Sequence, residues 1–313
     1  MLVVVQQTLA VTAPVFAMLF LGVALKRWGL IDAAFVHTAS TLVFRGTLPT
    51  LLFLGIVRAD LSSALQPALL LYFLLATLGC FLLAWGWAIL RCPQADRGVY
   101  TQGAFRGNNG IVGLALATSI YGDYGLSLGA VLGGVVILSY NTLSAIVLAI
   151  YSPQAKTDLW SLSKSILSNP LIIGVLAAIP FAAWRIPLPA WLLTSGGYFA
   201  QMSLPLALIC IGATLTLDSL RASSGMAISS SLMKVFWLPL LATLGAWLWG
   251  FREADLAILF LYFASPTAAA SFVMAKAVGG NHQLAAAIIV ITTLASVLST
   301  NIGLLLLQWA GWV

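Results

Sequence analysis

Ten stretches of this chain are apolar for long enough to cross a bilayer, and they leave little length for anything else. They lie near residues 3–25, 34–57, 66–90, 98–120, 126–150, 164–184, 190–216, 226–250, 256–277 and 284–312. As helices rising 1.5 Å per residue, each covers about 30 Å of hydrocarbon. Lipid offers the backbone no hydrogen bonds, so only helices and closed barrels span it, and runs of about 20 residues select helices. Of 313 residues 61% are hydrophobic and 7% charged, a composition that excludes a soluble core. Nothing basic precedes the first apolar stretch, which opens Met1-Leu2-Val3-Val4-Val5, so it is expected to stay as a helix rather than leave as a signal peptide.

The net charge of +6 could suggest nucleic acid, but the cations are spread over short loops with no basic tail. One alternating set of loops holds Lys26, Arg27, Arg91, Arg97, Lys156, Lys164, Arg221 and Lys276; the other holds Arg58, Arg185 and Arg252. The positive-inside rule puts the first set in the cytoplasm and both termini on the extracytoplasmic side of the cell membrane. No nucleic acid is expected as a partner; the lipid bilayer is.

An internal repeat refines this. An offset of 156 places Pro14 on Pro170, Trp28 on Trp184, and Leu48-Pro49 on Leu204-Pro205. Two further positions align Phe105 with Phe263, Leu126 with Leu284, and the turn Tyr121-Gly122-Asp123 with Gly279-Gly280-Asn281. Half-units of five spans must enter the membrane from opposite sides, which makes the repeats inverted. The expectation is an all-α polytopic membrane protein of ten transmembrane helices in two inverted five-helix repeats, residues 1–155 and 156–313. Architecture of this kind belongs to secondary transporters.

Both halves interrupt their fourth span. In the first the sequence reads Gln102-Gly103-Ala104-Phe105-Arg106-Gly107-Asn108-Asn109-Gly110; in the second it reads Ala264-Ser265-Pro266-Thr267-Ala268. Glycine weakens a helix by about 1 kcal/mol relative to alanine, and an interior proline removes a backbone hydrogen bond. Unwound backbone at that depth must be buried in protein or line a wet cavity. Two broken helices crossing there present free amides and a positive field, which favours an anion. Kinks that merely aid helix packing are the blander reading, but adjacent asparagines in hydrocarbon need a reason.

The eight carboxylates, Asp32, Asp60, Asp96, Asp123, Asp158, Asp218, Glu253 and Asp255, fall in loops or at span ends. Three cations, Arg45, Arg106 and Lys234, fall within spans. A cation at mid-membrane costs at least about 2.5 kcal/mol unless water, carbonyls or a bound anion compensate it. Arg106, beside the break, is the best candidate to attract a small organic anion. Arg45 is expected to brace helix-end carbonyls. Lys234 lies about 13 Å from its cytoplasmic end, within reach of snorkelling. No cofactor or metal is expected: His37 and His282 are far apart, and Cys80, Cys92 and Cys210 have no ligand spacing and read as small apolar fillers.

These segments resemble the auxin efflux carrier family, which includes bacterial permeases and plant PIN-type carriers. The likeness rests on Leu42-Val43-Phe44-Arg45-Gly46-Thr47-Leu48-Pro49, on Gly103 to Gly110 continuing through Tyr121-Gly122-Asp123, on Ser168-Asn169-Pro170, and on Ser265-Pro266 through Phe272-Val273-Met274-Ala275-Lys276. The resemblance implies a fold like the bile-acid sodium symporters and sodium/proton antiporters. Spans 1, 2, 6 and 7 would form a scaffold and spans 3–5 and 8–10 an elevator-like moving domain, in a homodimer. It also implies a substrate site at the crossover of spans 4 and 9, where the family's asparagine matches Asn108, its proline Pro266, and an asparagine of the binding region Asn169; with their neighbours at the breaks, Arg106, Gly107, Asn109, Ser265 and Thr267, these are the candidate substrate-binding residues. Gly107 stands where plant members carry a proline, a departure that argues against auxin itself. Bacterial relatives are associated with dicarboxylates such as malate and malonate.

Sodium- or proton-coupled symport is the nearest alternative, although sodium-coupled relatives of the fold place carboxylates near the crossover and this chain has none there. A membrane-embedded hydrolase is a more distant one. Ser231-Leu232-Met233-Lys234 imitates a Ser/Lys dyad at helical spacing, but no His/Asp relay accompanies it.

Overall fold

The computed structural model describes residues 2–58, 66–151, 170–214 and 225–313, and every regular element among them is helical. α1 (Leu2–Arg27) is followed by α2 (Ala33–Leu42), which passes through a π turn (Val43–Thr47) into α3 (Leu48–Arg58). Then come α4 (Pro67–Arg91), α5 (Arg97–Phe105), a second π turn (Asn109–Gly113) and α6 (Leu114–Tyr151). The remainder comprises α7 (Pro170–Ala183), α8 (Ala190–Gln201), α9 (Ser203–Thr214) and α10 (Gly225–Leu232). A third π turn (Met233–Trp237) leads to α11 (Leu238–Trp249), α12 (Glu253–Ala264), α13 (Ala270–Ala277) and α14 (His282–Trp309). The loop cations Lys156, Lys164 and Arg221 lie outside the described residues.

Local chemistry sets several boundaries. Asp32 caps α2 by accepting from the Phe35 amide at 2.7 Å, and Asn281 caps α14 by accepting from Leu284 at 3.0 Å. Pro67 opens α4, where its missing N–H costs nothing. Gly122 interrupts α6 with φ 56°, a left-handed conformation that costs glycine no steric penalty. The two limbs of α6 fold back on each other there. A Cβ on Gly125 would stand 2.1 Å from the Ala117 carbonyl oxygen, and one on Gly129 2.6 Å from the Leu114 side chain. The turn expected at Tyr121-Gly122-Asp123 is therefore present, and one long helical run serves as two antiparallel limbs.

Six helical stretches among the described residues are long and apolar enough to cross a membrane: Ala33–Val57, Pro67–Arg91, Asn109–Tyr151, Ala190–Thr214, Gly225–Trp249 and His282–Trp309. Their exposed faces are apolar too. On α4, Leu71, Leu74, Leu75, Leu78 and Leu82 are exposed, while Phe73, Thr77, Cys80, Phe81 and Ala84 face inward. The 3–4 spacing is that of an amphipathic helix, but the outward side is greasier than the inward one, as a lipid solvent requires. All three cysteines are buried and unpaired in disulfides, as expected of fillers.

Among the described residues, two of three apolar clusters frame the site, and the larger also takes in Val15, Phe16 and Leu19 of α1 and Leu208 and Ile211 of α9. α1 packs most extensively on α9, and α3 on α7, with Leu48, Leu52, Ile56, Leu171 and Val175 in one apolar cluster. A larger cluster joins α4, α5, α6, α11 and α12 around Phe73, Phe105, Leu128, Leu259 and Tyr262. Polar ties reinforce it at one end, where Tyr124 donates to Asp255 and Gln66 donates to the Tyr124 hydroxyl at 3.0 Å. At Asp96 the Asn281 amide reaches the carboxylate at 2.8 Å.

The α1–α9 contact is a backbone contact. A Cβ at Gly212 would lie 1.8 Å from the Leu19 carbonyl oxygen, and one at Gly22 2.1 Å from that of Ile209. Gly212→Ala is expected to lower stability by about 1–3 kcal/mol through overpacking, read as a fall in melting temperature in detergent. Gly79→Ala, at a position where nothing lies within 4 Å, serves as the control; it is expected to be neutral or to gain up to about 1 kcal/mol of helix propensity.

Candidate functional site

Helix α5 stops at Phe105 because the next residues abandon helical geometry: Arg106 is extended (φ −79°, ψ 102°) and Asn108 sits at φ −86°, ψ 51°. Helix α12 stops at Ala264, two residues before Pro266, with Ser265 at φ −54°, ψ 139°, as a residue preceding proline prefers. The two interruptions meet as a short antiparallel bridge pairing Gly107 with Thr267. Asn108 N–H donates to the Pro266 carbonyl at 2.7 Å, and Ala268 N–H donates to the Arg106 carbonyl at 3.1 Å. Proline cannot donate, and here it is asked only to accept.

This arrangement sorts the backbone groups that broken helices leave unpaired. At the C-terminal end of α5 the Thr267 hydroxyl donates to the Gly103 carbonyl at 2.7 Å. At the C-terminal end of α12 the Ser265 hydroxyl donates to Leu261 at 2.9 Å, and the Lys234 ammonium donates to Phe263 at 2.8 Å. The N-terminal ends are left open. Among the described residues, the amides of Asn109 and Gly110 on one half-helix, and of Ala269 and Ala270 on the other, have no acceptor. Positive helix ends therefore face the break while the negative ends are capped.

Seven of the eight site residues expected from sequence come together here; Asn169 lies outside the described residues. Their states differ. Ser265 and Thr267 are 1% and 2% exposed, with hydroxyls committed to carbonyls. Asn109 is fully buried; its amide donates to the Tyr140 hydroxyl at 3.3 Å and its Oδ1 has no partner. Asn108 is half-buried, and its side chain makes no hydrogen bond among the described residues. Arg106 is buried, donates to Asn141 Oδ1 at 2.8 Å and Met274 Sδ at 2.7 Å, and keeps Nε unpaired.

Two cations behave otherwise than their sequence setting suggested. Lys234 is 1% exposed and does not snorkel; its helix turns it into the crossover, and burial is bearable because a helix C-terminus receives it. Arg45 is exposed in the Val43–Thr47 π turn and braces no carbonyl among the described residues. Sequence reasoning also passed over Asn141 and Tyr140, which support Arg106 and Asn109. The rule that singled out Asn108-Asn109 applied equally to an asparagine inside the span at 126–150.

A cavity of about 550 Å³ opens beside the crossover rather than at it. Pro14 and Met18 of α1, Leu54 of α3, Thr118 of α6, and Gln201 and Leu204 near the α8–α9 junction line it, and none of the crossover residues does. Asp123 is the one ionisable group on its wall.

With this geometry belongs a sequence match. Residues 8–303 match the family described as membrane transport protein. The chain belongs to that family. This is the auxin efflux carrier family that the motifs resemble. An uncharacterised transporter from Methanothermobacter thermautotrophicus is 24% identical over 289 residues, covering 91% of this chain and 93% of its own length. The chain is accordingly a multi-pass membrane transport protein. The Ser231/Lys234 spacing does not become a dyad: the Ser231 hydroxyl has no hydrogen-bond partner, and Lys234 is engaged by Phe263.

Thr267→Val keeps the side-chain shape and removes the donor to Gly103. It is expected to cost about 1–3 kcal/mol, because a buried carbonyl loses its partner. Thermal unfolding in detergent measures it, with Thr194→Val, whose exposed hydroxyl bonds only within its own helix, as the neutral control.

Proposed function

We propose that this protein carries small organic anions, carboxylates such as malate or malonate, across the cell membrane by elevator-type alternating access, with the substrate held at the crossover. The observation that carries the reading is the charge of that crossover. Arg106 and Lys234 are both buried there, and neither has a carboxylate partner among the described residues. A buried cation left without a counter-charge is costly, and a bound carboxylate relieves the cost. The open amides of Asn109, Gly110, Ala269 and Ala270 add donors of the kind that bind anions at helix N-termini. The Asn108 side chain, half-buried and without a hydrogen bond among the described residues, can meet the ligand.

The mechanism rests on ten spans in two inverted repeats, with both termini outside. The bridge supports that symmetry, since an antiparallel pair has a local two-fold axis. It relates Gly107 to Thr267, an offset of 160, close to the 158 at which the flanking sequences align. α1–α3 with α7–α9 form the scaffold, and α4–α6 with α10–α14 form the moving unit. The 550 Å³ cavity lies along the seam between them, bounded by α1, α3, α8 and α9 on one side and α6 on the other. Scaffold helices of two copies pair in a homodimer. The gradient of the anion and the membrane potential drive passage.

Uptake of labelled malate and malonate into proteoliposomes at set membrane potentials tests this. Arg106→Gln and Asn108→Ala are each expected to lower uptake at least about tenfold, a loss near 1.4 kcal/mol of interaction, while the protein elutes as the wild type does on size exclusion. Uptake of no carboxylate, or uptake indifferent to both substitutions, overturns the proposal.

A further inference from the structure

Lys234 lies in an unusual place for a lysine. Its helix is locally widened by the π turn Met233–Trp237, a distortion frequent at functional positions. Around that turn Phe236 and Trp237 are exposed, while Lys234 is 1% exposed. Its Nζ stands 2.8 Å from the Phe263 carbonyl, on the penultimate residue of α12. On another side is Gly107, where a Cβ would meet Asn109 Oδ1 at 2.1 Å and Lys234 Nζ at 3.1 Å. The ammonium and the Asn109 amide oxygen therefore share the small space left by the missing side chain.

The chemistry of that space is that of a monovalent cation site. Asn109 is fully buried, and its Oδ1 accepts no hydrogen bond. The Ser231 hydroxyl, one turn before Lys234, is likewise buried and unpartnered. The Phe263 carbonyl lies at the negative end of a half-helix. Two neutral hard oxygens, the Phe263 carbonyl that accepts from Nζ and Asn109 Oδ1 across the Gly107 gap, meet there without a carboxylate and suit a single positive charge and no more. That charge is already present and covalently attached.

We propose that Lys234 is a tethered cation: its ammonium permanently occupies the position at the crossover that a free sodium or potassium ion would otherwise take. The break thereby keeps its positive charge through the whole transport cycle, and no alkali ion needs to enter or leave with the substrate. The consequence for transport rests on the crossover being the substrate site. The occupancy itself does not, and it is tested without substrate.

Melting temperatures of purified wild type, Lys234→Ala and Lys234→Met are compared in choline chloride and in about 100 mM sodium, potassium or methylammonium chloride at constant ionic strength, since a ligand of the folded state stabilises it by mass action. The wild type is expected to melt alike in all four salts. Lys234→Ala, which empties the space, is expected to melt lower in choline and to regain most of the loss with methylammonium or an alkali ion. Lys234→Met, which fills it, is expected to melt low in every salt. Lys234→Ala responding to no cation more than to choline, or the wild type rising with sodium as the variant does, overturns the proposal. If Lys234→Ala does not fold, the wild-type comparison of sodium with choline still decides. Carboxylate transport that fails while the salt pattern holds removes the anion reading and leaves the tethered cation standing.

Discussion

Two backbone hydrogen bonds hold the centre of this protein, one from the Asn108 N–H to the Pro266 carbonyl and one from the Ala268 N–H to the Arg106 carbonyl. Each interrupted helix leaves carbonyls and amides unpaired in a region where water is scarce, and the other interruption satisfies some of them. Neither break is stable alone at that depth, because an unsatisfied polar group in hydrocarbon costs several kcal/mol. Together they form a bridge whose close approach needs a small residue at Gly107, where any side chain would strike Asn109. The rest of the helical packing serves to bring these two places together.

The bridge also determines how charge is distributed. The negative helix ends are consumed by protein groups, Thr267 on one side and Lys234 with Ser265 on the other. The positive ends remain unfilled, and Arg106 is held beside them by Asn141 and Met274. Polar ties at Tyr124–Asp255 and Asn281–Asp96 join α6 to the start of α12 and the start of α5 to the start of α14. The cavity beside the crossover is mostly apolar and has one acid, so it contrasts in charge with the place it adjoins.

Much of this was legible beforehand, and for physical reasons. Proline at 266 and the clustered glycines around Asn108 weaken a continuous helix, so both breaks could be read from local rules. The hairpin at Gly122 was likewise marked by its turn residues. Lys234 was harder. Its depth along a span was readable, but depth is also compatible with snorkelling, and which way the side chain points depends on a π turn that no residue type announces. Asn141 was missed although the same polarity rule exposed it. Arg45 was assigned carbonyls to brace, yet its helix turns it outward.

The amino-acid sequence by itself determined that the chain lives in a membrane, that it is helical, where its helices fail, and to which family it belongs. Those properties depend on composition, period and residues near one another along the chain. Only the tertiary structure decided which carbonyl each cation meets, that Gly107 faces Thr267, and that Asn109 shares its space with Lys234. These are contacts between residues 29 to 160 positions apart, and packing across the fold sets their geometry.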